Sequence, residues 1–213
     1  MRGWSHRLAI ITLAVAAMLA PRAQAQDKVL KVIPSADLTQ LDPVFVPIVI
    51  TRIYGLMIYD QLFSWDHNLQ PKPQMVDTWK TSPDDLTWSF TLRPGLKFHD
   101  GQAVTTADVI ASLKRWMTRD VVGQKLGSFT AGLDAVNAET FEIKLKRPYP
   151  LMLVSLGSAI GQIPVIMRAK DLDGDPGKPV TTAIGAGPFI FDKAARLSGA
   201  LTAFGRNPAY VPR

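Results

Sequence analysis

Between residues 86 and 92 apolar and polar side chains alternate, with Trp88, Phe90 and Leu92 set against Thr87, Ser89 and Thr91. That is the period of a half-buried strand. Met75–Lys80 is a matching run, and Ser82-Pro83-Asp84-Asp85 between the two predicts a hairpin. Upstream, Lys28–Ile33 is rich in Val, Leu and Ile and reads as a strand ended by Pro34-Ser35-Ala36-Asp37. Ile50, Tyr54, Met57 and Ile58 recur at helical spacing, which predicts a helix from about Val49, after Pro47. Leu62–Trp65 reads as a short strand, with Asp66-His67-Asn68 as its turn.

The pattern then changes within twenty-five residues, Leu92–Trp116. Arg93-Pro94-Gly95 and Asp100-Gly101 are turn sequences, because proline presets φ and glycine tolerates positive φ. Thr105 can cap a helix over Thr106–Thr118, with Asp108 near the positive end of its dipole. Val109, Leu113, Trp116 and Met117 fall on one face of that helix. Gly123–Thr130 reads as a polar, glycine-containing connection, and Ala131–Val136 with Phe141–Leu145 as a second hairpin. A short helix is expected at Leu151–Leu156, a loop over Gly157–Gln162 and a strand over Ile163–Ile166. Asp173–Gly177 is a loop, Gly185–Pro188 a tight turn, and Phe189–Asp192 and Leu201–Gly205 a final pair of strands. No internal repeat interrupts this succession.

Pro148–Met167 contains no charge and is flanked by Arg147 and Arg168. Its prolines, glycines and serines argue against a membrane span. The N-terminus has a different character. Arg2 and Arg7 precede the apolar run Leu8–Ala20, and Ala23-Gln24-Ala25 is an A-x-A cleavage pattern. A run that short falls below the roughly 20 residues that cross a bilayer, so residues 1–25 read as a secretory signal peptide, with an uncleaved anchor as the alternative.

Cleavage after Ala25 would remove Arg2, Arg7 and Arg22. The whole chain carries 24 basic and 18 acidic side chains, a net charge of +6. The mature chain would keep 21 against 18, or +3, and it has no long basic block, so nucleic-acid binding has little support. The absence of cysteine excludes disulfides, thiol catalysis, cysteine metal sites and a lipid-anchoring cysteine at the cleavage point.

Enzyme chemistry finds no foothold in the pattern. There is no G-x-S-x-G elbow, and beyond the signal the only histidines are His67 and His99, each read as a solvated turn residue. Gly174–Lys178 lacks Walker spacing, and Gly185-Ala186-Gly187 lacks the third glycine of a dinucleotide loop. Asp171, Asp173 and Asp175 alternate like the start of a calcium loop, but Pro176 and Thr182 stand where glycine and glutamate are needed. No catalytic residue, metal site or cofactor is therefore expected. Trp65, Trp79, Trp88 and Trp116 read first as core residues, although exposed aromatics could also grip a ligand.

Five ordered segments resemble extracellular solute-binding proteins of family 5, the receptors that feed peptides or nickel to ABC importers. They are Val29–Ile33 leading to Leu41-Asp42-Pro43; Tyr59–Phe63 with Pro71 and Met75–Trp79; Leu92–Trp116; Gly185–Phe189; and Arg206–Tyr210. The resemblance implies an α/β fold of the type II periplasmic-binding-protein kind, a two-lobed clamshell that closes around its ligand by a hinge motion. Residues 26–213 would form an incomplete first lobe, about the N-terminal two-fifths of such a receptor. A truncated or split product with exposed strand edges is the corresponding expectation.

The same resemblance implies a monomeric periplasmic receptor for a small solute, a peptide first among the candidates, which it delivers to permease subunits in the inner membrane. A sensing or chaperoning module is the alternative, and a secreted hydrolase lacks a nucleophile–base pair. The family's cleft-facing loops correspond here to Ser35, Ala36 and Asp37 and to Gly157, Ser158 and Ala159. Asp37 would pair with a ligand amine, unless it is simply a solvated loop carboxylate.

Overall fold

The computed structural model describes residues 28–175 and 177–212. The signal-peptide reading of residues 1–25 lies outside them. The chain divides into Met1–Ile33 and Pro34–Arg213. In the first unit, residues 28–33 are not a strand, and Val29, Leu30, Val32 and Ile33 are exposed. Apolar β-branched residues create only the propensity. A strand also needs a neighbour for its N–H and C=O groups, and no described segment pairs with this one.

In the second unit the alternating segments form one antiparallel four-stranded sheet. β4 (Val76–Thr81) pairs with β5 (Thr87–Leu92), and β7 (Thr140–Leu145) lies between β5 and β6 (Thr130–Ala135). Register places Phe90 opposite Phe141, their rings stacked at 5.2 Å, and Phe63 meets Phe90 edge-on at 6.0 Å. The remaining strands form three smaller antiparallel pairs: β1 (Asp60–Gln61) with β8 (Val165–Ile166), β2 (Phe63–Trp65) with β3 (Pro71–Pro73), and β9 (Phe189–Leu197) with β10 (Leu201–Arg206).

Helix α1 (Val49–Ile58) begins two residues after Pro47, as its periodicity requires. Helix α2 (Thr106–Arg119) starts with Asp108 Oδ2 accepting both the Thr105 N–H, at 2.9 Å, and the Thr105 hydroxyl, at 2.8 Å. Its apolar face is buried as the spacing requires: Val109, Leu113 and Trp116 are wholly inside and Met117 packs at the edge. Burying each of the first three contributes about 1.5–3 kcal/mol.

The segment Gly123–Thr130, read as a polar connection, is instead largely helix α3 (Val121–Phe129). Asp120 ends α2 and caps α3, its Oδ1 accepting the N–H groups of Val122 at 2.8 Å and Gly123 at 3.0 Å. The glycines that suggested a loop permit close packing. A Cβ on Gly123 would lie 2.6 Å from the Trp116 carbonyl oxygen. Two short helices follow, α4 (Met152–Leu156) and α5 (Ala169–Leu172), the latter falling just before the expected 173–177 loop. Among the described residues no helix is long and apolar enough to cross a membrane.

Candidate ligand-binding site

The start of α3, the helix α4 and the loop 157–162 border an open cleft of about 1010 Å³. Its walls are apolar. Val121 and Val122 come from the first turn of α3, Leu151 and Val154 from α4 and its N-cap, Ile160 from the loop, and Trp65 from β2. Val121, Leu151 and Ile160 are 79, 55 and 65% exposed, so large apolar side chains face the opening rather than the core. Concave, largely apolar walls with a few fixed polar groups are what small-molecule sites offer.

Asp120 fixes this wall. Besides capping α3 with Oδ1, it accepts the Gln162 N–H with Oδ2 at 3.1 Å. Gly161 has φ +72°, and a Cβ there would lie 2.5 Å from Asp120 Oδ2, so only glycine lets the loop pass so close to the carboxylate. The Trp116 indole N–H donates to the Gln162 carbonyl at 2.8 Å, and Arg52 reaches the Gly161 carbonyl at 3.4 Å. Gln61 Nε2 donates to the Ser158 carbonyl at 2.9 Å.

The two loops singled out in the sequence sit differently. Ser158 lines the cleft, with its hydroxyl turned toward the Ile160 backbone. Ala159 beside it is exposed, whereas Gly157 is buried against β2, where a Cβ would meet the Phe63 and Ser64 backbone at 3.2 Å. Ser35, Ala36 and Asp37 are exposed but do not line this cleft. Asp37 Oδ1 accepts the Leu38 N–H at 2.8 Å, and Arg196 of β9 holds the Leu38 carbonyl. Trp65 is a cleft residue rather than a core one, its indole N–H donating to the Val154 carbonyl at 3.2 Å. The valines after Asp120 were missed because α3 was missed. The signal available was an Asp cap followed directly by two apolar residues.

The motif residues build a hub instead of a site. Asp42 is fully buried and forms a bidentate pair with Arg115, at 2.6 and 3.0 Å, while accepting the N–H groups of Val44, Phe45 and Val180. His99 is half-buried and bonds to Gly185 and Gly187, which corrects its reading as a solvated turn residue. Burial lowers its pKa, partly opposed by the Gly187 hydrogen bond and the neighbouring Asp100. Burial acts to raise the pKa of Asp100, but hydrogen bonds from Arg168, Gln102 and Lys170 outweigh it and keep the carboxyl below its usual range. Asp171 also pairs with Arg168, at 2.6 Å, so one member of the supposed calcium loop is already engaged. Among the described residues no three His, Asp or Glu side chains gather to hold a metal ion.

Residues 70–213 match the model for bacterial extracellular solute-binding proteins, family 5 Middle. The chain belongs to that family. Among its relatives is a Sinorhizobium fredii protein described as "Probable peptide ABC transporter periplasmic-binding protein y4tO", 41% identical over 91% of this chain and 36% of its own. The glutathione-binding protein GsiB of Pectobacterium atrosepticum is 28% identical over 83% of this chain and 34% of its own. The periplasmic binding protein AgaA from A. tumefaciens R10, solved with agropinic acid, superposes with a TM-score of 0.70 at 28% identity, covering 81% of this chain and 34% of that one. At 21% identity the murein tripeptide-binding protein MppA of Escherichia coli shares the fold, with a TM-score of 0.66 over 82% of this chain and 37% of that one. The family 5 chain described here is thus α/β and matches part of a type II periplasmic binding protein, spanning about a third of the length of the curated relatives it matches. Proteins of this family bind solutes.

Proposed function

We propose that this chain contributes to the substrate-binding component of an ABC importer, capturing a peptide or a related small solute and delivering it to the permease in the inner membrane. It does so by binding alone, without catalysis. Residues 1–25 direct it to the periplasm and are removed after Ala25. Residues 26–213 supply part of the first lobe, and an opposing lobe closes over the exposed apolar wall.

The observation that carries this reading is the cleft itself, an apolar wall of a family 5 protein whose helix start and loop are both hydrogen-bonded to Asp120. Ser158 within the cleft and the neighbouring exposed Ala159 contact the solute, and Gly157 lets their loop lie against β2. Ser35, Ala36 and Asp37 form a second, separate contact in which the Asp37 carboxylate meets a ligand amine.

Calorimetric titration of the full chain with short peptides tests the proposal. A saturable heat is expected, and Val121→Trp, placed at a largely exposed position in the cleft, is expected to weaken it about tenfold with the thermal transition unchanged. Absence of saturable binding, or binding indifferent to the filled cleft, would overturn it.

A further inference from the structure

Most polar side chains of the cleft are engaged with the protein itself. Asp120 accepts three backbone N–H groups and sits at the positive end of α3. Gln124 donates to the Thr118 carbonyl, Ser128 to the Lys125 carbonyl, and Tyr149 shares a hydrogen bond with Ser155 at 2.9 Å. What these groups leave for a solute is the apolar surface of Val121, Val122, Leu151, Val154 and Ile160, together with the Lys125 ammonium and the Gln162 side-chain amide.

Lys125 lies one turn beyond Val121 on the same face of α3. Its ammonium stands over the Phe129 ring at 5.4 Å, and the Arg147 guanidinium covers the same ring at 4.2 Å. Phe129 in turn contacts Tyr149, a cleft residue, at 4.9 Å. Lys146 reaches the carbonyl of Ser128, another cleft residue, at 3.4 Å. Lys125, Lys146 and Arg147 are all exposed, and none has an ion-pair partner among the described residues. An apolar wall therefore ends at two cations over one aromatic ring, with a third, Lys146, at the neighbouring Ser128 carbonyl.

Resting on the peptide-binding reading above, we infer that this wall receives the C-terminal residue of a short peptide and selects an apolar side chain there. The side chain lies on the valines of α3 and on Leu151 and Val154, and the terminal carboxylate is held by Lys125 and Arg147. A carboxylate has the charge the rim lacks. An apolar side chain on the adjoining atom has the chemistry of the wall, and burying it there removes apolar surface from water on both partners.

Two indoles report on this wall, Trp65 through the Val154 carbonyl and Trp116 through the Gln162 carbonyl. The full chain, labelled with nitrogen-15, is titrated with Ala-Ala-Leu, its C-terminal amide, Ala-Ala-Ser and octanoate, following the indole N–H signals. Ala-Ala-Leu is expected to shift Trp65 and Trp116 saturably and to leave Trp79 and Trp88 in place. The amide and the serine peptide are each expected to bind about tenfold more weakly. In the double variant Lys125→Met, Arg147→Gln, with the spectrum otherwise folded, acid and amide are expected to bind alike. Equal binding of all three peptides, or octanoate binding more tightly than any of them, would overturn this inference and leave peptide binding standing. No shift with any peptide would overturn both.

Discussion

His99 and Gly187 lie 88 residues apart in the chain, yet the imidazole Nε2 sits 3.1 Å from the Gly187 carbonyl oxygen. The other ring nitrogen, Nδ1, faces the Gly185 N–H at 3.3 Å. An N–H can only donate, so Nδ1 is the acceptor, and Nε2 carries the proton that it donates to Gly187. Asn207 Nδ2 donates to the same carbonyl at 2.9 Å. Three of the segments that mark the family, at His99, at Gly185–Pro188 and at Asn207, thus converge on one backbone oxygen.

Acid should loosen this junction. Burial favours the neutral ring, so the folded-state pKa of His99 lies below its ordinary value of 6.5. The unfolded chain then binds the extra proton first. The stability that the neutral ring contributes is complete above about pH 6.5 and is lost progressively as pH falls from there toward the depressed value. Urea denaturation of the full chain between pH 8 and 5 should show this decline, and His99→Gln should remove the part due to the imidazole.

Gly185 and Gly187 pass so close to the end of α1 that neither tolerates a side chain. A Cβ on Gly187 would lie 2.6 Å from the Ile58 carbonyl carbon, and one on Gly185 would overlap the Ile58 carbonyl oxygen. Gly187→Ala is expected to destabilise the chain by about 3 kcal/mol. Gly199→Ala meets open space and only the strain of φ +75°, and about 1 kcal/mol is expected. Thermal unfolding of the two variants side by side separates close packing from backbone strain.

Asp42→Asn leaves the Arg115 guanidinium buried beside a neutral partner. Removing one member of such a pair costs about 3–5 kcal/mol. Adding Arg115→Met should recover part of that loss, because the remaining charge is then gone, and denaturant unfolding of the single and double variants measures the recovery.

Asp120→Ala removes the cap of α3 and the anchor of the Gln162 N–H together. A loss of about 1–2 kcal/mol is expected from the cap. Hydrogen exchange should quicken at the amides of Val122, Gly123 and Gln162, while Phe141 and Ile143 in the central sheet stay protected.

The sheet was legible in the sequence because its alternation is strict. Trp88, Phe90 and Leu92 could form only one buried face, and the intervening turns set the partner within each hairpin, but neither turn announces the pairing of β5 with β7 that joins the two hairpins. The buried face of α2 followed from Val109, Leu113 and Trp116 in the same way. Helix α3 was hidden because Gly123 and Gly127 carry a breaker's signal locally and a packing role only in three dimensions, against Trp116 and Met117. Residues 28–33 failed in the opposite sense, having strand propensity and no described partner. The cleft was half legible. The resemblance pointed to the loop holding Ser158, but Val121, Val122 and Trp65 reach the same cleft from elements distant in sequence. His99 looked solvated because nothing near Asp100-Gly101 discloses that Gly185 and Gly187 arrive from the far end of the chain.

Photo-crosslinking tests the central claim most directly: that the wall formed by α3, α4 and loop 157–162 holds the solute. The probe is a tripeptide ending in a diazirine analogue of leucine, irradiated with the full chain and mapped by peptide sequencing in a mass spectrometer. Adducts are expected at Val121, Val122, Leu151, Val154 and Ile160, and unlabelled Ala-Ala-Leu should suppress them. Adducts gathered instead on the β9–β10 hairpin, or spread over the surface and indifferent to the competitor, would contradict it.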